Sequence, residues 1–177
     1  TVYTVYTVYT VYGVHQQDPY GNWLARFVFP EPVREFRIEV DLVADMTVYN
    51  PFDFFVEDAA QSWPFDYPDA VAGDLSIYRR AEPLGEPFDR FMAQIDRSES
   101  RTVNFLISLN RQVSRRVDYT IRMEPGVQTP DETLSIGSGS CRDSSWLLVQ
   151  ALRTLGFAAR FVSGYLIQLR PDVQALD

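Results

Sequence analysis

Lysine is absent from the sequence, and cysteine and histidine occur once each in its 177 residues. Without lysine, the chain forms no Schiff base and supplies no side-chain amine to a self-crosslinking reaction. The single cysteine, Cys141, excludes a disulfide within the chain, and together with a single histidine it argues against a structural zinc site. We therefore expect neither a metal nor a cofactor.

Basic charge is also scarce, since 16 arginines stand against 24 acidic residues and give a formal net charge of −8. Nucleic acids and anionic membranes both require a basic surface, so neither is an expected partner. No apolar run approaches the ~20 residues of a membrane-spanning helix, and no secretory leader opens the chain. These absences predict a cytoplasmic protein.

The pattern of residues divides the chain into three parts. Residues 1–12 are four copies of Thr-Val-Tyr, and because a period of three fits neither strand nor helix, we expect a disordered or artefactual segment there. Residues 13–98 predict a β-rich amino-terminal domain that ends in a linker rich in proline and aromatic residues. Residues 99–177 predict the core that carries the chemistry.

Local patterns predict several elements. Charged and apolar residues alternate over residues 35–42, which predicts a half-buried strand whose core face holds Phe36, Ile38, Val40 and Leu42. Trp63 and the aromatic residues near it are expected to be buried anchors of the linker, and a short helix is expected over residues 89–95. Alternation over residues 117–123 predicts a strand or extended segment, and a strand is expected over residues 157–169.

A longer helix is predicted from residue 100 onward, with Ser98 or Ser100 as its N-cap. Its predicted apolar stripe consists of Val103, Leu106, Ile107, Asn110 and Val113 or Ser114.

The chemistry is concentrated after residue 128. Thr129, followed by Pro130 and then by Glu132, predicts a short helix that starts with a capping box. The turn Gly137-Ser138-Gly139-Ser140 follows, and Cys141 then opens a second helix that stops at Gly156.

Cys141 is thus predicted at a helix N-terminus. Unpaired amides and the helix dipole favour an anion at such a position and lower the pKa of a thiol there. Its amide can also point at an oxyanion that forms on an attacked carbonyl. Arg142 adds positive charge, and Asp143 suits the dipole and is placed to anchor the preceding loop. On the residues alone, a small buried hydrophobe remains open as the alternative.

The segment from Gly137 to Trp146, followed by Leu155-Gly156-Phe157-Ala158-Ala159-Arg160-Phe161-Val162-Ser163-Gly164-Tyr165, resembles the nucleophile region of bacterial transglutaminase-like proteins, which are papain-like cysteine enzymes. The resemblance implies an α+β fold, with a β-rich amino-terminal domain and a partial transglutaminase-like core whose cysteine helix packs on an antiparallel sheet. It implies that Cys141 is the catalytic nucleophile. The implied partner is a peptide or protein carboxamide, whose acyl group passes to water or to an amine.

The family's catalytic histidine and aspartate follow the position of Tyr165, where this sequence offers no match. His15 is interpreted as a surface residue and not as the base. We therefore expect a fragment of a larger enzyme, with further domains of the same polypeptide as partners. It would be nearly inactive alone, because general-base catalysis contributes ~10²–10⁴-fold. Ser140 and Tyr119 are candidates for the second oxyanion donor.

Two functions outside acyl transfer stay open at this point. One is a non-catalytic binding or scaffold module on the same fold, whose contact surface would be the linker over residues 58–98. The other is a redox sensor in which Cys141 is oxidised reversibly without turning over a substrate.

Overall fold

The structure is a computed structural model that describes residues 2–6, 12–18, 21–36, 39–43, 50 and 53–164. The chain divides into two compact units, Thr1–Phe54 and Phe55–Asp177. The sequence predicted a boundary between residues 98 and 99. The structure instead begins the second unit at Phe55, and the proline-rich segment therefore belongs to that unit.

The described part of the first unit consists of two antiparallel strand pairs. Strand β1 (Val2–Tyr6) pairs with β4 (Glu39–Val43), and β2 (Tyr12–Gln17) pairs with β3 (Trp23–Val28). Gly21, with a φ of 80°, donates its N–H to the carbonyl of Asp18 at 3.0 Å and turns the chain between β2 and β3. Residues 2–6 of the Thr-Val-Tyr repeat form a strand and are not disordered as predicted, because their β-branched and aromatic side chains suit a strand.

Phe36 shows how the predicted core face of the first unit departs from the structure. Its ring meets Phe27 and Phe29 edge to face, at centroid distances of 5.6 and 5.3 Å. The side chain nevertheless remains 48% exposed, because the described strands form two-stranded pairs that offer little surface to pack against. Ile38, Val40 and Leu42 lie outside the residues whose burial is described.

The second unit is mainly helical. Its helices are α1 (Asp69–Ala72), α2 (Ser76–Arg79), α3 (Glu86–Met92), α4 (Thr102–Arg116), α5 (Pro130–Ile136) and α6 (Cys141–Thr154), preceded by a 3₁₀ turn at Asp58–Ala60. Its strands are β5 (Ser62–Trp63) paired antiparallel with β6 (Ser100–Arg101), and β7 (Asp118–Tyr119) paired parallel with β8 (Ser138–Gly139). This mixture of helices and small sheets confirms the predicted α+β class.

One hydrophobic core joins the proline-rich segment to α3, α4 and α6. Its buried members are Trp63, Phe88, Phe91, Met92, Ile95, Phe105, Leu109, Val113, Val117, Leu147, Ala151 and Phe157. The Trp63 and Phe105 rings stack with centroids 3.8 Å apart, and the Trp63 indole N–H donates to the Leu155 carbonyl at 3.4 Å. Trp63 is therefore a buried anchor as predicted, and this packing makes residues 58–98 part of the second unit.

Helix α4 buries a face that shares only Val113 with the one predicted. Its buried residues are Thr102, Phe105, Leu109 and Val113, whereas Leu106 and Ile107 are 36% and 45% exposed. The observed face brings the ring of Phe105 against Trp63, and the predicted stripe would leave that ring in water. The N-cap is Arg101, so the predicted caps at Ser98 and Ser100 are wrong.

Helix α6 contacts α4, α5 and α2. The antiparallel sheet predicted beside it is not found in the described part of the chain. Of the two predicted extended segments, the first forms a strand only at Asp118–Tyr119. In the second, residues 157–164 form no strand, and residues 165–169 lie outside the described residues.

Candidate active site

Cys141 is the first residue of α6, and it is exposed to solvent. The turn before it begins at Gly137, whose φ of 75° is the left-handed conformation that glycine adopts readily at a helix end. Ser140 is the N-cap of α6. The structure thus confirms a cysteine that opens a helix behind a glycine-rich turn, and its exposure contradicts the alternative of a buried hydrophobe.

The predicted capping box fixes α5 on one side of this turn. The Thr129 hydroxyl accepts the Glu132 N–H at 3.2 Å, and the Glu132 carboxylate accepts the Thr129 N–H at 2.8 Å. This backbone hydrogen bond, assisted by the Thr129 hydroxyl, lowers the pKa of Glu132. Because α5 ends where the turn begins, a fixed α5 fixes the origin of the turn.

Backbone pairing with β7 holds the turn on another side. The Asp118 N–H donates to the Gly137 carbonyl at 2.9 Å, and the Thr120 N–H donates to the Gly139 carbonyl at 3.0 Å. Tyr119 lies opposite Gly139 in this pairing and is 70% exposed. Two carbonyl groups of the turn that precedes Cys141 are therefore hydrogen-bonded to the β7 segment.

Asp143, two residues after Cys141, is fully buried, and its carboxylate accepts four hydrogen bonds. Oδ2 accepts the Ser140 N–H at 2.7 Å, the Ser140 hydroxyl at 2.8 Å and Arg122 Nε at 2.9 Å, and Oδ1 accepts the Gln128 N–H at 2.8 Å. Burial by itself would raise the pKa of Asp143, but these hydrogen bonds outweigh burial and lower it. Asp143 is therefore an anion at neutral pH that clamps the Ser140 turn.

Gly139 gives this carboxylate the room it needs. A Cβ on Gly139 would lie 2.9 Å from Asp143 Cβ and 3.1 Å from Gln128 Oε1. Contacts that short force a neighbour to move, so any larger residue would displace the clamp.

Arg142 ties the neighbouring extended segment to the start of α6. Its Nη2 donates to the carbonyl oxygens of Arg122 and Glu124, at 3.1 and 3.2 Å. Two guanidinium groups, those of Arg122 and Arg142, are thus fixed around the first turn that Cys141 opens. They add positive charge at the end of α6 where the helix dipole is also positive.

The structure also describes two other residues considered in the sequence analysis, Ser140 and His15. The Ser140 hydroxyl donates its proton to Asp143, so it does not serve as the second oxyanion donor. His15 is exposed in β2, opposite Ala25, and belongs to the first unit. Within the described residues there is neither a group of side chains that could hold a metal ion nor a helix suited to spanning a membrane.

Sequence reasoning placed Asp143 at the loop but missed its partners. Arg122 and Gln128 precede Asp143 by 21 and 15 residues, and no periodic pattern connects them to it. The one available signal was a lone arginine within the alternating segment 117–123, where it faces inward.

Comparison with known proteins identifies the family of the region that contains this site. The family model described as Transglutaminase-like superfamily matches residues 89–175, which include α4, α5, α6 and the Asp143 clamp. Residues 89–175 belong to the transglutaminase-like superfamily. The predicted family is therefore confirmed, and the transglutaminase-like region is related to the papain-like cysteine enzymes. Cys141 opens the helix at which the resemblance placed the nucleophile.

Three curated relatives are uncharacterized proteins of Mycobacterium bovis and of two strains of Mycobacterium tuberculosis. Each is 27% identical to this chain over 159 residues, which is 85% of this chain and 49% of the relative. The chain thus spans about half the length of the curated relatives it matches. No solved structure matches it.

Proposed function

We propose that Cys141 is the nucleophile of a transglutaminase-like cysteine enzyme that acts on carboxamide or peptide bonds of a peptide or protein. The observation that carries the proposal is an exposed cysteine on the first turn of α6, behind a turn clamped by Asp143. The family of residues 89–175 supports the same chemistry. Exposure lets a substrate reach the sulfur, and the clamp keeps the sulfur in one place.

In the proposed reaction, the Cys141 thiolate attacks the carbonyl carbon and forms a C–S bond, while the π electrons of the carbonyl move to its oxygen. The Cys141 N–H opens the helix, so the helix supplies it no acceptor, and it is available to the oxyanion. Collapse of the tetrahedral species breaks the C–N bond. The leaving ammonia or amine takes up a proton, and a thioester remains on Cys141.

Water is the proposed acceptor in the second half of the reaction. Its attack on the thioester breaks the C–S bond, releases a carboxylic acid and returns the thiol. The chain contains no lysine, so no side chain among these 177 residues supplies an amine acceptor for transamidation. The chain spans about half the length of its relatives. We propose that the base that moves these protons is supplied by the whole protein.

Formation of a thioester on Cys141 tests the proposal. The chain is incubated with p-nitrophenyl acetate at pH 7, folded and in urea, and acetylation is followed by intact mass. We expect one acetyl group per chain, added faster in the folded state and removed by neutral hydroxylamine. Cys141→Ala is the matched control, since an exposed side chain is shortened without opening a core cavity.

Two outcomes would contradict the nucleophile assignment. Acetylation that persists in Cys141→Ala would place the reaction elsewhere on the chain. Acetylation no faster in the folded state than in urea would mean that the helix terminus does not activate the thiol. That second result would favour the non-catalytic binding or scaffold module.

A further inference from the structure

Arg122 and Asp143 form an ion pair that is largely withdrawn from water beside the candidate nucleophile. Arg122 Nε lies 2.9 Å from Asp143 Oδ2, and the two side chains are 19% and 0% exposed. Asp143 is separated from Cys141 by one residue in the first turn of α6. The pair therefore lies at the same helical turn as the candidate nucleophile.

The carboxylate by itself works against the proposed chemistry. A second negative charge two residues from a thiolate disfavours the thiolate by Coulomb repulsion. The turn nevertheless depends on Asp143, whose oxygens hold both the N–H and the hydroxyl of Ser140. A neutral asparagine would relieve the repulsion, but its amide oxygen would hold the N–H and the hydroxyl of Ser140 more weakly than a carboxylate does.

We propose that Arg122 is a positioning residue for Cys141, because it neutralises the buried carboxylate that clamps the Ser140 turn and so keeps that carboxylate from suppressing the thiolate. The inference rests on the proposed function. The clamp and its neutralisation come from different elements, since Asp143 lies on α6 and Arg122 lies on the extended segment after β7.

Other charged groups surround this turn and have to be kept constant. They are Arg142 on α6, Glu124 on the extended segment, Asp118 and Tyr119 on β7, and Glu132 on α5. Glu124, Asp118, Tyr119 and Glu132 are exposed, so water and salt screen them. All five are unchanged in the variants below, and their contribution cancels when variants are compared with the wild type.

The rate of Cys141 alkylation by iodoacetamide, measured against pH by intact mass, tests the proposal. In Arg122→Met the carboxylate keeps its hydrogen bonds from Ser140 and Gln128 but loses its countercharge. We expect the midpoint of the alkylation curve to move up by about one pH unit, which makes the reaction about tenfold slower at pH 7. In Asp143→Asn the Arg122 guanidinium keeps only the exposed carboxylate of Glu124 as a countercharge, at 3.7 Å, and we expect the midpoint to move down.

The double variant Arg122→Met/Asp143→Asn removes both charges. We expect its midpoint to return to within a few tenths of a pH unit of the wild type. Opposite shifts that cancel are the signature of charge compensation, whereas a merely structural role would move both single variants in the same direction or move neither.

Two control variants make the same chemical changes elsewhere in the second unit. Asp131 accepts the N–H groups of Gly85 and Phe88 at 2.7 and 3.0 Å, and Arg153 donates to the Ala159 carbonyl at 2.9 Å. We expect Asp131→Asn and Arg153→Met to lower the melting temperature while leaving the alkylation midpoint unchanged.

Parallel shifts, or no shift, in folded Arg122→Met and Asp143→Asn would overturn the inference. If Arg122→Met fails to fold, Asp143→Asn and the double variant decide, because the double variant buries no unpaired charge. A midpoint of the double variant as low as that of Asp143→Asn would then contradict the compensating role. Failure of the proposed function is read separately, as a wild-type chain that forms no thioester with p-nitrophenyl acetate.

Discussion

Gly139 lies in a part of the turn that has no room for a side chain. A methyl group there would lie 2.9 Å from Asp143 Cβ, in the turn that leads to Cys141. The backbone of Gly139 is also paired, since its carbonyl accepts the Thr120 N–H at 3.0 Å. Neither side of the contact is therefore free to yield.

Gly139→Ala should destabilise the chain by about 1–3 kcal/mol, the usual cost of overpacking. Gly73→Ala is the matched control, because a Cβ at that position meets nothing within 4 Å and the φ of −64° suits alanine. We expect Gly73→Ala to be neutral or stabilising by up to about 1 kcal/mol. Urea unfolding of both variants measures the difference, and equal losses would contradict the close approach.

Asp143 should make the stability of the chain fall in acid. Its folded-state pKa is lowered, so the carboxylate stabilises the fold above its unfolded pKa of about 3.9. That stabilisation is lost as the pH falls through the folded-state pKa. Between about pH 5 and 2, the melting temperature of the wild type should fall more steeply than that of Asp143→Asn, and the two curves should converge.

A surface carboxylate provides the comparison for this acid effect. Glu86 forms an exposed pair with Arg90 at 3.7 Å, and such pairs contribute little to stability. Glu86→Gln should therefore keep the acid slope of the wild type. Parallel melting curves for Asp143→Asn and the wild type would show that the Asp143 clamp does not stabilise the folded state.

At the scale of elements, the sequence predicted the start of α5 and the end of α6, but neither the N-cap nor the buried face of α4. The Thr129 cap and the Gly156 stop are local, because each depends on residues within one turn. The buried face of α4 depends on Trp63, which lies about 40 residues earlier and stacks on Phe105. The sequence of α4 alone gives no information about that partner. The predicted buried face therefore included Leu106 and Ile107 and left out Phe105.

Leu109 and Leu106 test the observed face of α4 with one substitution in one helix. Leu109 is 0% exposed, whereas Leu106 is 36% exposed. Leu109→Ala should cost about 2–5 kcal/mol through lost burial and the cavity that remains. Leu106→Ala should cost less than about 1 kcal/mol. Urea titration compares them, and the reverse order would restore the face predicted from the sequence.

At the scale of the whole molecule, the pattern of residues predicted a division after residue 98, whereas the compact units divide after Phe54. Proline at positions 64, 68, 83 and 87 predicted correctly that long elements are absent from residues 58–98. The burial of that segment was not readable, because it follows from contacts such as the Ala158 N–H donating to the Tyr67 hydroxyl at 2.9 Å. The glycine-rich turn was enough to predict the candidate nucleophile. The hydrogen bonds of the Asp143 clamp could be identified only from the folded structure.

Limited chymotrypsin digestion should find the division between the units. Phe55 is 100% exposed at the start of the second unit, and Phe54 is 53% exposed. We expect the first cut after one of these residues, identified by mass, before any cut within α1 to α6. Phe54→Ala/Phe55→Ala should slow that cut, and an early cut after buried Phe91 would contradict the division.

The positions of the tryptophans give each unit its own optical reporter. Trp23 is 74% exposed in the first unit, whereas Trp63 is 5% exposed in the second and is stacked on Phe105. Indole fluorescence shifts to longer wavelength in water and is then quenched by acrylamide, so Trp23 contributes the red, quenchable component. Trp63 contributes a blue, shielded component, and Trp146 is half-buried in the same unit. On unfolding, the shielded component should therefore shift to the red and report the second unit, whereas the component from Trp23, which is already in water, should change little.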